Sequence, residues 1–370
     1  MGKWDMVRLG DVCEIKSGGT PSRAEGKYWI PGEGGAPVPW VKISDMKHKY
    51  VADTEENITT TALRETSAKL FPAGTILYTI FATLGRVAVL SIDAATNQAI
   101  AGIIVPRQIN TDFLYYYLMS IEKQVLESGR GVAQNNINLS ILREFQIPLP
   151  LLPTQQKIAD VLNRASALIE KRKSQIAKLD LLVKSRFVEM FGDPVRNPMG
   201  WEVKAWNDVL KIKNGKDHKK VSSQGGKYPI IGSGGCMGYA NEYLCEANSI
   251  IIGRKGTIDK PFIVREKFWN VDTAFGLESY ARILNFEYLL LFCKFFDFQK
   301  LNKTVTIPSL TKSDLLKIPI PLPPLKLQTQ FADFVRAVDK SKAEMQAGLN
   351  KIELLYKSLM QKCFSGEMFK

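Results

Sequence analysis

Catalysis needs nucleophiles, metal ligands or phosphate cradles at set spacings, and this chain offers few of them. Its two histidines, His48 and His218, have no cysteine or carboxylate partner at metal-ligand spacing, so no metal site is expected. The five cysteines, Cys13, Cys236, Cys245, Cys293 and Cys363, form no Cys-x-x-Cys pair, and an odd, scattered set does not build a disulfide framework. No nucleotide-binding loop occurs, because Gly215-Lys216 runs into Asp217 and Gly256-Thr257 has no lysine between. Gly232-Ser233-Gly234-Gly235 follows the apolar Pro229-Ile230-Ile231, but Cys236-Met237-Gly238-Tyr239 behind it does not open a helix. That stretch reads as a tight turn rather than a phosphate or methyl-donor cradle. Asn197-Pro198 leads into Met199-Gly200, not into the Pro-aromatic pair of an amino-methyltransferase. No catalytic residue is assigned, and the chain is expected not to be an enzyme.

The side chains that remain are those that recognise nucleic acid. Arg and Lys pair with guanine, Asn and Gln with adenine, and both need turn or Gly-rich segments that can enter a groove. In the first half of the chain the candidates are Lys42, Thr83, Arg86, Arg130, Gln134, Asn135 and Asn136; in the second they are Lys216, Lys219, Lys220, Lys227, Arg254, Lys255, Thr257, Lys303 and Thr304. Base and phosphate contacts are not separable at this level. The 370 residues carry 50 Lys and Arg against 37 Asp and Glu, a net +13 that makes a polyanion the first partner to test. The excess is uneven: residues 1–150 are neutral, with 15 basic and 15 acidic, whereas 201–325 hold 18 and 12. The longest apolar-plus-Gly run, Ala99 to Val105, is far short of the ~18 residues a membrane span needs. The start, Met1-Gly2-Lys3-Trp4-Asp5, has no apolar leader, so the cytoplasm is expected.

These loops must be held by something, and the chain builds its scaffold twice. Trp4, Asp11, Val12, Ile15, Lys16 and Gly18 recur 197 positions later as Trp201, Asp208, Val209, Ile212, Lys213 and Gly215. Ile147, Pro148 and Pro150 recur after 171 as Ile318, Pro319 and Pro321, so the second copy is shorter. Ala73 to Ile76 matches Ala247 to Ile250 at 174, which leaves a 23-residue excess between Gly18 and Ala73, expected in the Gly/Pro-rich stretch Gly18 to Pro39. Behind each Pro-rich run a 4-3 apolar seam predicts a long helix, with Pro153 and Pro324 at the starts and Gly192 and Gly366 as stops. The first seam is Ile158, Leu162, Ile169, Ile176, Leu179 and Val183; the second, 173 positions on, includes Phe331, Val335, Val338, Leu349, Ile352, Tyr356 and Leu359. Arg172, Arg186 and Lys342 interrupt them, either to set register or to face another subunit. Two matched seams roughly 50 Å long are suited to pairing with each other. Phe187, Phe191 and Phe364 at the helix ends are expected as exposed partner-binding anchors.

The fold class predicted is α+β: two tandem α/β modules alternating with two long helices that pair as an antiparallel coiled coil about a pseudo-two-fold axis. The divisions fall at 1–152, 153–195, 196–324 and 325–370. With Gly18-Gly19-Thr20-Pro21-Ser22, Pro39-Trp40-Val41-Lys42, Asn97-Gln98-Ala99-Ile100, Ile147-Pro148-Leu149-Pro150 and the helix ends Phe187 to Asp193 and Phe364 to Met368, the whole chain resembles the DNA specificity subunit of type I restriction-modification systems. The resemblance implies that the modules are target recognition domains, each reading half of a split, asymmetric double-stranded DNA sequence. It implies that the helices are a spacer and docking surface for two methyltransferase subunits, to which motor-endonuclease (restriction) subunits add. It implies adenine-N6 methylation with S-adenosylmethionine on the partners, ATP and Mg on the motor subunits, and no cofactor in this chain. Two other readings stay open: a self-contained DNA-modifying enzyme, and a coiled-coil scaffold with non-DNA ligand-binding end domains.

Overall fold

The computed structural model describes residues 4–30, 32–81, 83–128, 137–304 and 307–369. The chain divides into two compact units, Met1–Lys171 with Leu349–Lys370, and Arg172–Gly348. Each unit therefore contains one module and a part of each long helix.

In the first unit the chain enters and leaves the module through one clasp, where Met6–Arg8 pairs antiparallel with Gln146–Pro148 and Val7 faces Ile147. Inside it, a five-stranded sheet runs in the order Glu14–Ser17, Ile100–Ile104, Ile76–Thr79, Val87–Leu90 and Tyr50–Val51. A second sheet runs Glu56–Thr59, Pro37–Val41, Ala94–Thr96 and Leu70–Phe71. Ile76–Thr79 and Val87–Leu90 are short continuous apolar runs rather than alternating ones, as suits strands buried on both faces. The helix Thr111–Ser120 starts where the Asn110 side chain accepts from the Phe113 amide.

The second unit repeats this plan. Glu202–Ala205 pairs with Pro319–Leu322, and Lys204 faces Ile320, which are Val7 and Ile147 moved by 197 and 173. Its main sheet runs Leu210–Asn214, Ala274–Ser279, Ser249–Gly253 and Phe262–Val264. A three-stranded sheet runs Gly235–Ala240, Tyr228–Gly232 and Trp269–Asn270. Gly232 pairs with Gly235, so Ser233-Gly234 is a two-residue hairpin turn, as its sequence suggests. Helix Phe286–Phe295 is capped by Asn285.

Two expectations are corrected. The clasps make Ile320, not Ile318, the counterpart of Ile147, so the offset there is 173 rather than 171 and continues unchanged into the long helices. The excess also lies elsewhere than expected. Val41 and Ile231 are equivalent, since each sits on a strand paired in parallel with the segment that ends at Thr96 or Asn270. The offset is thus 197 at Gly18, still 190 at Val41 and 174 at Thr96, so most of the excess follows Pro39 rather than preceding it. It builds Tyr50–Val51, which pairs with the distant Val89–Leu90 and leaves no local pattern, and helix Thr60–Glu65; Leu70–Phe71 is not part of it, since the Phe71–Ala94 pair recurs 174 positions on as the Cys245–Phe268 bridge.

The long helices span Leu152–Phe191 and Leu325–Phe364, and both end before a glycine at positive φ, Gly192 at 74° and Gly366 at 76°. Every seam position named above is buried or half-buried. In the second unit the helices run antiparallel: Phe187 meets Phe331 with ring centroids 5.4 Å apart, while Asp180, earlier on its helix, meets Lys342, later on the other, at 2.6 Å. Lys342 thus leaves the seam to pair with Asp180. Among the described residues, no helix is long and apolar enough to cross a membrane.

Candidate nucleic-acid interface

Each module gathers its loops with the same backbone hydrogen bonds. In the first, the amides of Gly18 and Gly19 donate to the carbonyls of Ile100 and Thr96 at 3.1 and 2.9 Å. In the second, Gly215 and Lys216 donate to Ala274 and Asn270 at 3.2 and 3.0 Å. Only glycine fits at this crossing, because a Cβ on Gly18 would stand 2.1 Å from Thr96 Oγ1, and one on Gly215 1.7 Å from Val271 O. A second loop is tied to the same turn: Ile80 donates to Ala99 at 2.9 Å, and Arg254 to Thr273 at 2.7 Å. A third segment closes on that loop, with Ile137 donating to Ile80 O at 3.2 Å and Leu310 to Arg254 O at 2.9 Å. Three separate stretches of chain therefore converge around one turn in each module.

Of the second-module candidates, Lys216, Arg254, Lys255, Thr257, Lys303 and Thr304 lie on this convergence. Lys255 forms a β-bridge to Ser309, and the Gly256 amide donates to Pro308 O at 2.9 Å, which brings Lys303 and Thr304 toward Arg254. The Arg254 guanidinium is held by Asp272 O at 3.5 Å and lies 5.9 Å from the Phe275 ring, whereas Lys255 and Thr257 are exposed. Lys303 pairs with Asp314 at 2.8 Å but stays largely in solvent, and this bond holds the Asp314 carboxyl below its usual range. Thr304 is tied to Asn302, its amide donating to Oδ1 at 3.1 Å. Lys219 and Lys220 are exposed just after Lys216, and the Lys219 amide donates to Asp217 Oδ1 at 3.0 Å. Lys227 sits instead beside Tyr228, its ammonium 5.7 Å from the ring.

The first module differs. Thr83 and Arg86 are exposed on the second loop, with Arg86 donating to Ile43 O at 3.3 Å. Lys42, expected as a DNA contact, has its ammonium bound to Glu56 at 2.7 Å and Glu55 at 3.2 Å, and these bonds push its pKa up. Its charge is met inside the module, so reaching a phosphate requires breaking both pairs. Arg130, Gln134, Asn135 and Asn136 lie outside the described residues. One first-module group stood out in the sequence only within a motif and not as a contact: Gln98, exposed on the central turn and accepting a bond from Thr20; Arg23, whose guanidinium lies 3.6 Å from the Trp29 ring centroid, is like Lys42 paired with Glu56. The recurrence of Gly18 as Gly215 was the signal for Gln98, since it marks the crossing beside which Gln98 stands.

The aromatic helix ends also need correction. Phe187 and Phe191 are buried, stacked among Tyr288, Phe295 and Phe331, and Phe364 packs on Phe113 and Tyr117 with centroids 5.5 and 5.3 Å away. They are core of their own units rather than exposed anchors, because the modules' capped helices lie directly over them.

Two buried glutamines attach module to helix. Gln155 accepts from the Asn110 amide at 2.8 Å and donates to Pro150 O at 2.8 Å; Gln328, its copy 173 positions on, accepts from Asn285 at 2.8 Å and donates to Pro323 O at 2.7 Å. An acid beside each joint pairs with a cation. Asp112 meets Lys49 at 2.7 Å, Asn163 at 2.7 Å and Tyr50 at 3.0 Å, while the buried Glu287 meets Arg265 at 2.5 Å. Burial works against the Asp112 charge, but the bonds from Lys49, Asn163 and Tyr50 outweigh it and hold the carboxyl below its ordinary value.

This doubled frame has relatives. The family model described as type I restriction modification DNA specificity domain matches residues 1–179 and again 198–354. The chain belongs to that family. The specificity subunit of the type I restriction enzyme MjaIX from Methanocaldococcus jannaschii is 28% identical over 410 residues, covering 99% of this chain and 93% of its own. The EcoprrI specificity subunit of Escherichia coli is 22% identical over 276 residues, covering 69% of this chain and 67% of its own. Two solved structures share the fold. One, described under complex assembly and conformational transition of the type I R-M system, superposes with a TM-score of 0.61 at 19% identity, covering 99% of this chain and 98% of that one. The other, a type I restriction-modification S subunit from M. genitalium, gives 0.59 at 17%, covering 98% and 96%. The chain is thus a type I specificity subunit, the non-catalytic member that carries target recognition.

Proposed function

We propose that this specificity subunit reads a bipartite, asymmetric DNA sequence, one half with each module, and that its long helices dock two methyltransferase subunits, to which restriction subunits add. The repeated loop convergence carries the reading: two clusters built on the same hydrogen bonds, around Asn97–Ala99 and Val271–Thr273, display different side chains. A shared frame with different readers suits two unlike half-sites. The second module, with Arg254, Lys255 and the lysines after Gly215, supplies most of the phosphate attraction; the first, without net charge, reads through Thr83, Arg86 and the candidates Arg130, Gln134, Asn135 and Asn136. The complex works in the cytoplasm, where S-adenosylmethionine, ATP and Mg bind to its partners.

The test is to co-express the chain with the methyltransferase gene of its own system in a methylation-free host and read modified bases across the genome. A two-part adenine motif that vanishes when this chain is omitted is expected. A soluble, co-purifying complex with an unmodified genome would remove the DNA-reading half of the proposal, and no complex at all would favour the scaffold reading. Methylation by this chain alone would favour the enzyme reading.

A further inference from the structure

The long helices carry one seven-residue pattern twice. Lys178-Leu179-Asp180-Leu181-Leu182-Val183-Lys184 returns 173 positions on as Lys351-Ile352-Glu353-Leu354-Leu355-Tyr356-Lys357. Leu179 and Val183, and their counterparts Ile352 and Tyr356, are half-buried on the seam. The leucine pairs between them are not: Leu181 and Leu182 are 61% and 47% exposed, and Leu354 and Leu355 71% and 68%. Seam packing does not account for four leucines in water, and the same pair at the same place in both copies marks an interaction surface. In the first unit Leu355 lines a groove of about 610 Å³ together with Ala165, Leu168, Ile352, Tyr356 and Leu359. Exposed lysines flank each pair on both sides, and the Asp180 charge is met by Lys342 within its own unit.

We propose that each Leu-Leu pair with its flanking lysines is the docking point of one methyltransferase subunit, which meets it with an apolar helix edged by Asp or Glu. This rests on the reading that the chain docks methyltransferase subunits, and adds where and by what chemistry. Two equivalent faces on one chain take two copies of one partner. A second copy of this chain does not fit, because it would set the same exposed lysines against each other. The lysines select carboxylates and steer their approach.

The experiment uses the full chain and the methyltransferase subunit of the same system, with native mass spectrometry for stoichiometry and calorimetry for affinity. Replacing Leu354→Glu with Leu355→Glu is expected to reduce two bound subunits to one. Leu181→Glu with Leu182→Glu should do the same, and all four together should leave none, with unchanged helical circular dichroism. Lys351→Glu with Lys357→Glu keeps the leucines and should weaken one site at least about tenfold, which decides the matter if a leucine variant loses helix. Two subunits bound at unaltered affinity by every variant would overturn the proposal while leaving the docking reading intact. A wild-type chain that binds none would instead remove the docking reading itself.

Discussion

At the scale of single residues, the joints between module and helix are hydrogen-bonded and charged, and their removal is measurable. Replacing Gln155 with Leu strands the Asn110 amide and the Pro150 carbonyl in a buried place, so urea unfolding should show a loss of about 2–4 kcal/mol. The Asp112 cluster predicts acid sensitivity. Its folded pKa lies below the unfolded one, so its contribution is complete above the ordinary carboxylate range, about pH 4, and disappears as pH falls through the depressed value. Asp112→Asn should therefore flatten the acid limb of stability against pH. For readout, Arg254→Ala should relax one base position in the methylated motif; uniform weakening with a smaller salt slope would assign Arg254 to a phosphate instead. The sequence pointed to the Arg254 loop through its glycine and its preceding strand, but it misread Phe187 and Phe191, because helix-end aromatics look alike whether a module covers them or not. Lys42 was opaque for a similar reason: Glu55 and Glu56 lie 13 and 14 residues away and meet it only through the fold.

At the scale of elements, the long helices were the most legible feature, since a 4-3 apolar seam carried over several turns and repeated 173 positions on excludes other periods. The main-sheet strands were readable from β-branched and aromatic runs: Ser249 to Ile252 and Phe262 to Val264 read as strands, and Ser249–Gly253 and Phe262–Val264 form them. Two-residue strands such as Tyr50–Val51 and parallel pairs such as Trp40 with Ala95 were not, because their only warrant is a partner far along the chain. The C-terminal helix carries one removable weakness. A Cβ on Gly348 would meet nothing within 4 Å, so Gly348→Ala should stabilise by about 0.5–1 kcal/mol, seen as a higher Tm of the full chain. If the central helix is the ruler of the DNA target, four residues inserted between Val183 and Phe187 add about 6 Å and should lengthen the unread gap by about two base pairs. A lengthened helix that still methylates the original spacing would refute that role.

At the scale of the molecule, the charge is lopsided: residues 201–325 carry an excess of six cations and residues 1–150 none. DNA affinity of the assembled complex should fall steeply with salt, and changing Lys216, Lys219 and Lys220 together to Gln should reduce the slope of log K against log salt by about 2 to 3 if all three meet phosphates. The clasps have a consequence of another kind. Because each module's first and last strands lie side by side, with Val7 opposite Ile147 and Lys204 opposite Ile320, whatever happens between them is returned to the same point. One copy has grown by more than twenty residues relative to the other, and the clasp has not slipped by one. The reading part of this protein can therefore be lengthened, shortened or exchanged by inheritance without renegotiating the frame that holds it.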